Sequence, residues 1–136
     1  MNINIKKTVI GGVVGTVLMT LVGLFVAPMM GMPPMNPAKM LASAMGDMIA
    51  LGWMAHFMIG IVLAAGYALV TQYLPGQGWV RGLIYSVAPW LMAQLIVIPM
   101  MGMSLFSGAM NVAVGSLVGH LIYGATVGAV YVAPAR

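Results

Sequence analysis

The chain has 136 residues, of which 62% are hydrophobic and 4% charged, with five Lys or Arg against one Asp or Glu and a formal net charge of +4. With a mean hydropathy of +1.08, this composition excludes a water-soluble globular domain and indicates an integral membrane protein. The basic residues are scattered at the ends of apolar runs, which excludes a nucleic-acid stripe, and zero cysteines exclude disulfides, thiolate metal ligands and thiol catalysis.

A spanning helix needs ~20 apolar residues, so the length holds four spans with short connections, a single membrane domain over 1–136. Span one is expected from about Thr8 to Ala27, ended by Pro28. Lys6-Lys7 imitates the basic head of a signal peptide, but the apolar run is too long and no small-x-small site precedes Met29, so the segment is expected to be retained. Asn36-Pro37 reads as an N-cap with proline at the first helical position, giving a short interfacial helix over Ala38 to Met45. Span two runs from about Met48 to Val70 with Asp47 as its N-cap, and Leu74-Pro75-Gly76 turns the chain. Span three runs from about Arg81 to Ile98 and stops at Pro99; the connection from Gly102 to Ala109 carries no helical insert. Span four covers about Met110 to Val132, ended by Pro134. Tyr67, Tyr73, Trp79 and Tyr131 fall where an aromatic belt is expected, and Gln94 in mid-span calls for an interhelical hydrogen bond.

The chain repeats itself. Pro28-Met29-Met30-Gly31-Met32 returns as Pro99-Met100-Met101-Gly102-Met103, and His56-x3-Gly60-x6-Tyr67 returns as His120-x3-Gly124-x6-Tyr131. The first helices align at a shift of 71 (Gly11 to Gly82) and the second at a shift of 64 (His56 to His120). The expected fold class is therefore an all-α membrane protein, four transmembrane helices as two parallel helical-hairpin repeats (about 8–70 and about 79–132) around a pseudo-two-fold axis along the membrane normal. Basic residues are retained on the cytoplasmic side. Lys6, Lys7, Arg81 and Arg136 then lie inside with both termini, and Lys39 lies outside with both Pro-Met-Met-Gly-Met segments.

The pattern Gly52-Trp53-x2-His56-Phe57-x2-Gly60, Leu74-Pro75-Gly76, Trp90-Leu91, Pro99, Phe106 and His120-x3-Gly124-x3-Gly128-x2-Tyr131 resembles a family of small four-helix bacterial integral-membrane proteins known only as a domain of unknown function. The likeness covers nearly the whole chain. It implies a multi-pass protein of the bacterial inner (cytoplasmic) membrane and supports pairing the two histidines, but it implies no activity.

Ionisable groups are rare and costly within lipid, so His56 and His120 are the leading site candidates. At ~100° per residue, His56 shares a face with Gly52, Gly60, Ala64 and Tyr67, and His120 with Ser116, Gly124, Gly128 and Tyr131. On a packing reading, spans two and four meet through these small faces, each neutral imidazole satisfied by its partner, a carbonyl or a water. That reading makes the chain a non-catalytic subunit or assembly partner among lipid, further copies or other membrane subunits. Glycines 11, 12, 15 and 23 of span one are expected to serve a homo-oligomer.

The first alternative is a b-type haem for electron transfer, His56 and His120 as axial ligands and Gly60 and Gly124 leaving room for the macrocycle. The second is Cu(I) binding or transport by an outer methionine cluster, Met29, Met30, Met32, Met35, Met40, Met100, Met101 and Met103 with Met54 and His56 just below, in which Met30, Met32, Met101 and Met103 with His56 and His120 are the candidate ligands, because thioethers suit a soft ion. Proton or solute transport has little to build on, since the one carboxylate, Asp47, falls at a helix start. Hydrolysis and group transfer have no paired carboxylates, no activated nucleophile and no phosphate loop, so no enzyme is expected.

Overall fold

The computed structural model describes residues 3–131, and among them the fold is all-helical with no strand. Helix α1 runs Ile5–Met29. It starts before Thr8 because the Asn4 side chain accepts from the Lys7 N–H at 3.0 Å, capping the first turn. It also passes Pro28, where an end was expected. The reason is a π-helical turn over Val22–Val26, in which the Ala27 N–H bonds back to Val22 O. In that register the next donor would be Pro28, which has no N–H, and the carbonyl it leaves open, Gly23 O, is taken by Met35 N–H at 2.9 Å.

Helix α2 (Pro37–Ser43) follows its Asn36 cap, whose side chain accepts from Lys39 N–H at 3.0 Å. Gly46 (φ +67°) and Asp47 (φ +60°) then reverse the chain in two left-handed steps, with Asp47 N–H bonded to Ala42 O at 2.9 Å. Asp47 is thus not the N-cap of the next span. Met48 occupies that position without a side-chain hydrogen bond, because a seven-residue helix turned straight back on itself needs left-handed residues there, and Asp tolerates that conformation. Nor does α2 lie free on an interface: Ala38 and Ala42 are buried against Gly52.

Helix α3 (Ile49–Val70) ends in a 3-10 turn, Thr71–Tyr73. Helix α4 spans Trp79–Met100, again passing its proline, Pro99, through a π-helical turn, Ala93–Val97. The two π turns stand 71 residues apart, as do Gly31 and Gly102, both at φ +79°, which close the two helices at the Pro-Met-Met-Gly-Met segments. The connection beyond holds a 3-10 turn, Leu105–Gly108, where no helical insert was expected; Phe106 and Ser107 adopt left-handed conformations in it. Helix α5 covers Met110–Val130; Val132, Pro134 and Arg136 lie outside the described residues.

Helices α1, α3, α4 and α5 are each long and apolar enough to cross a membrane. They form a bent row in which α1 packs between α3 and α5, and α5 between α1 and α4. The expected meeting of spans two and four through their histidine faces does not occur. The small face of α3 packs on α1 and α2, and that of α5 on α4. A methyl group on Gly60 would strike Thr16, one on Gly124 would strike Gly82 O and Ser86, and one on Gly128 would strike Gly78 O. Such close backbone approach is what holds helices together where lipid is as apolar as the side chains.

Near the Gly76 turn, Ala64, Tyr67, Ala68, Tyr123, Val127 and Tyr131 form the hydrophobic core. Tyr67 and Tyr131, 1% and 5% exposed and edge-to-face with centroids 6.0 Å apart, are core residues rather than belt residues. Tyr73 and Trp79 do stand on the surface.

Candidate functional site

His56 sits on α3, buried, with Nε2 2.9 Å from Thr20 Oγ1 on α1. The Thr20 hydroxyl has one proton, and at 2.7 Å it donates to Thr16 O, a pure acceptor. His56 must therefore donate from Nε2, which fixes its neutral tautomer. Below, the Thr16 hydroxyl donates to Gly12 O at 2.7 Å. Trp53 and Phe57 flank the imidazole, with ring centroids 6.3 and 6.1 Å from it. This histidine is closed on its polar side by α1 and on its apolar side by aromatics.

His120 is placed differently. Its Nδ1 lies 2.8 Å from Ser116 O, one turn back on its own helix, so Nδ1 carries the proton and Nε2 presents a lone pair. The residue is buried and lines a partly enclosed, largely apolar cavity of about 220 Å³, together with Met19, Met35, Met40, Ser107 and Ser116. The Ser116 hydroxyl accepts from Gln94 Nε2 at 3.3 Å, and Gln94 Oε1 accepts from the Ser107 hydroxyl at 3.0 Å. Gln94, fully buried in the π turn of α4, makes the interhelical bond expected of it. The two histidines, equivalent in sequence, thus have unlike surroundings because their neighbours differ: Thr20 corresponds to Leu91 at the shift of 71, and Ser116 to Gly52 at the shift of 64.

The remaining site candidates scatter. Gly60 and Gly124 serve helix contacts, as above. Met30 and Met103 are exposed, Met101 is half-buried, and Met32 lies against Gly115; none of the four lines the cavity. Span one's glycines face inward: Gly11 onto Val127 and Val130, Gly12 onto Ile61, Gly15 onto Tyr123, Gly23 onto Met35. They leave no glycine face on α1 for a second copy, which removes the ground on which an oligomer was expected. Among the described residues no group of three or more His, Asp or Glu side chains converges as a metal site.

Residues 3–135, nearly the whole chain, match one family profile along their full length. The chain belongs to DUF6789, a family of unknown function. The sequence resemblance to a domain of unknown function is thereby met. No curated protein and no solved structure matches this DUF6789 chain. Family membership carries no chemistry, so the roles of DUF6789 residues here rest on geometry alone. Thr20, Met19 and Tyr123 were not anticipated as parts of the site. The four-residue spacing of Gly12, Thr16 and Thr20 puts them on one helix face, a signal for a polar contact that the structure assigns to His56. Tyr123, whose hydroxyl donates to Gly60 O, has isoleucine as its repeat counterpart, Ile59, and so stands outside the repeat pattern.

Proposed function

We propose that this DUF6789 chain is a non-catalytic integral-membrane protein that works as a subunit or assembly partner of a membrane complex. The observation that carries this reading is that most interior polar groups are paired within the chain: His56 with Thr20, Gln94 with Ser107 and Ser116, Trp90 Nε1–H with Ala113 O, and Tyr85 and Tyr123 with carbonyls of α3, while Thr71 Oγ1 and Arg81 Nε are buried without a partner. No carboxylate stands among them to act as general base or proton carrier. Between 22% and 39% of the most apolar stretch of each span is buried within the chain, which leaves broad apolar flanks for lipid and for a partner.

The haem alternative does not fit these residues. His56 Nε2 carries a proton toward Thr20, the cavity of about 220 Å³ lies below the ~300–1,000 Å³ of drug-sized ligand sites, and the glycine faces meant to admit the ring are in contact with Thr16, Gly82 and Ser86.

On the same reading the chain is a duplicated hairpin with its pseudo-two-fold axis along the membrane normal. Support comes from the paired π turns and the paired left-handed glycines; the row-like packing, with α5 but not α3 held between two spans, marks where the halves have diverged. Lys6, Lys7 and Arg81 gather at the Gly76 end, which favours that end as the cytoplasmic one in the inner membrane. Cross-linking in native membranes tests the proposal: a discrete species larger than the single chain is expected, and a chain that stays monomeric at every cross-linker concentration contradicts it.

A further inference from the structure

The cavity beside His120 combines three features that the subunit reading leaves unused. First, the Ser116 carbonyl turns the imidazole so that Nδ1 holds the proton and Nε2 keeps a lone pair, the form in which histidine binds a metal. Second, Gly115 and Gly119 bare the surface of α5 just before His120, and methionines lie on it. Met32 Sδ and Met35 Cε are 2.6 and 2.9 Å from where a Gly115 Cβ would stand, and Met19 Cγ is 3.5 Å from that of Gly119. Third, the lining offers thioethers and one imidazole but no carboxylate, from segments as distant in sequence as α1 (Met19), α2 with the loop before it (Met35, Met40) and α5 (His120).

We propose that this cavity binds one soft monovalent metal ion, Cu(I), through His120 Nε2 and the thioethers of Met19, Met35 and Met40. Thioether and imidazole donors select a soft ion, and the absence of carboxylates disfavours Mg²⁺, Ca²⁺ and other hard cations, which need oxygen ligands. All four donors are neutral, so the site takes on a single charge in an apolar setting, where a divalent ion would be far more costly to desolvate. The cavity is only partly enclosed, so it is open on one side. The site keeps Met35 and Met40 of the outer methionines expected from sequence, adds Met19 and His120, and leaves out Met30, Met32, Met101 and Met103, none of which lines the cavity. It stands independently of the subunit reading.

The test is titration of the detergent-purified full chain with Ag(I), a redox-inert stand-in for Cu(I), in chloride-free buffer. Binding is compared among wild type, His120→Gln, Met35→Leu, Met40→Leu, and a Met29→Leu/Met100→Leu control whose residues are exposed. The methionine-to-leucine changes conserve volume and keep the fold, which unaltered thermal unfolding without metal verifies. The expected result is one ion per chain, affinity lowered by about tenfold or more in each cavity variant and unchanged in the control. Absence of saturable binding to wild type, wild-type affinity in Met35→Leu and Met40→Leu, or loss of binding in the control each overturns the proposal.

Discussion

Thr20 on α1 and His56 on α3 meet through a single hydrogen bond, Nε2 to Oγ1 at 2.9 Å, in which the imidazole donates because the threonine proton already belongs to Thr16 O. An N–H left without an acceptor at this depth has no water to replace it. Thr20→Val is therefore expected to destabilise the protein by about 1–2 kcal/mol, with Thr20→Ser restoring most of that. Adding His56→Phe to Thr20→Val should recover stability, since both partners are then apolar. Thermal unfolding of these three variants and of His56→Phe alone in detergent measures this. Additive losses in the double variant would show that the bond is not the coupling between α1 and α3.

The α4–α5 crossing depends on glycine pairs. A Cβ at Gly82 or Gly124 would run into the backbone of the other, whereas one at Gly119 would stand 3.5 Å from the flexible Met19 side chain. Gly82→Ala and Gly124→Ala are expected to destabilise by about 1–3 kcal/mol, and Gly119→Ala by well under about 1 kcal/mol. Urea or SDS unfolding of the purified variants ranks them, and equal effects at the three positions would count against the packing described.

Gln94 ties two elements at once, Ser116 of α5 and Ser107 of the connection before it, where Ser107 sits at φ +60°. Gln94→Leu keeps the volume and removes both bonds. The expected outcome is a loss of about 1–3 kcal/mol together with faster proteolysis between 104 and 109, read by limited digestion of membrane-embedded protein. A connection as resistant as in the wild type would mean that Gln94 does not hold it.

At Asp47 the left-handed backbone, φ +60°, reverses the usual expectation for an acidic residue before a helix. Asp47→Gly should be neutral or stabilising by up to about 1 kcal/mol, because glycine adopts this conformation freely, while Asp47→Val should destabilise by about 1–2 kcal/mol. A clear loss of stability in Asp47→Gly would restore the capping role that the backbone geometry removes.

The spans were legible because each is an apolar run bounded by proline, glycine or a basic residue, and Asn36-Pro37 announced α2 by cap chemistry. Helix ends were read short at Pro28 and Pro99. A proline normally ends a helix by leaving a carbonyl unpaired, and nothing local says that a π turn and the distant Met35 N–H will take up Gly23 O. The histidines were legible as ionisable groups in lipid, but their partners were not, since small faces on spans two and four say that helices approach closely without saying which ones. Thr20 shares a small polar face with Gly12 and Thr16, but that spacing does not say which helix it meets, and the methionines of the cavity, Met19 above all, look like the rest of the 16 in the chain until folding brings α1, α2 and α5 together.

The most direct measurement is native mass spectrometry of the protein released gently from its own membrane. A subunit predicts the 14.2 kDa chain inside a larger assembly of defined mass, with no haem retained. A bare monomer, or a chain carrying one haem, would contradict it.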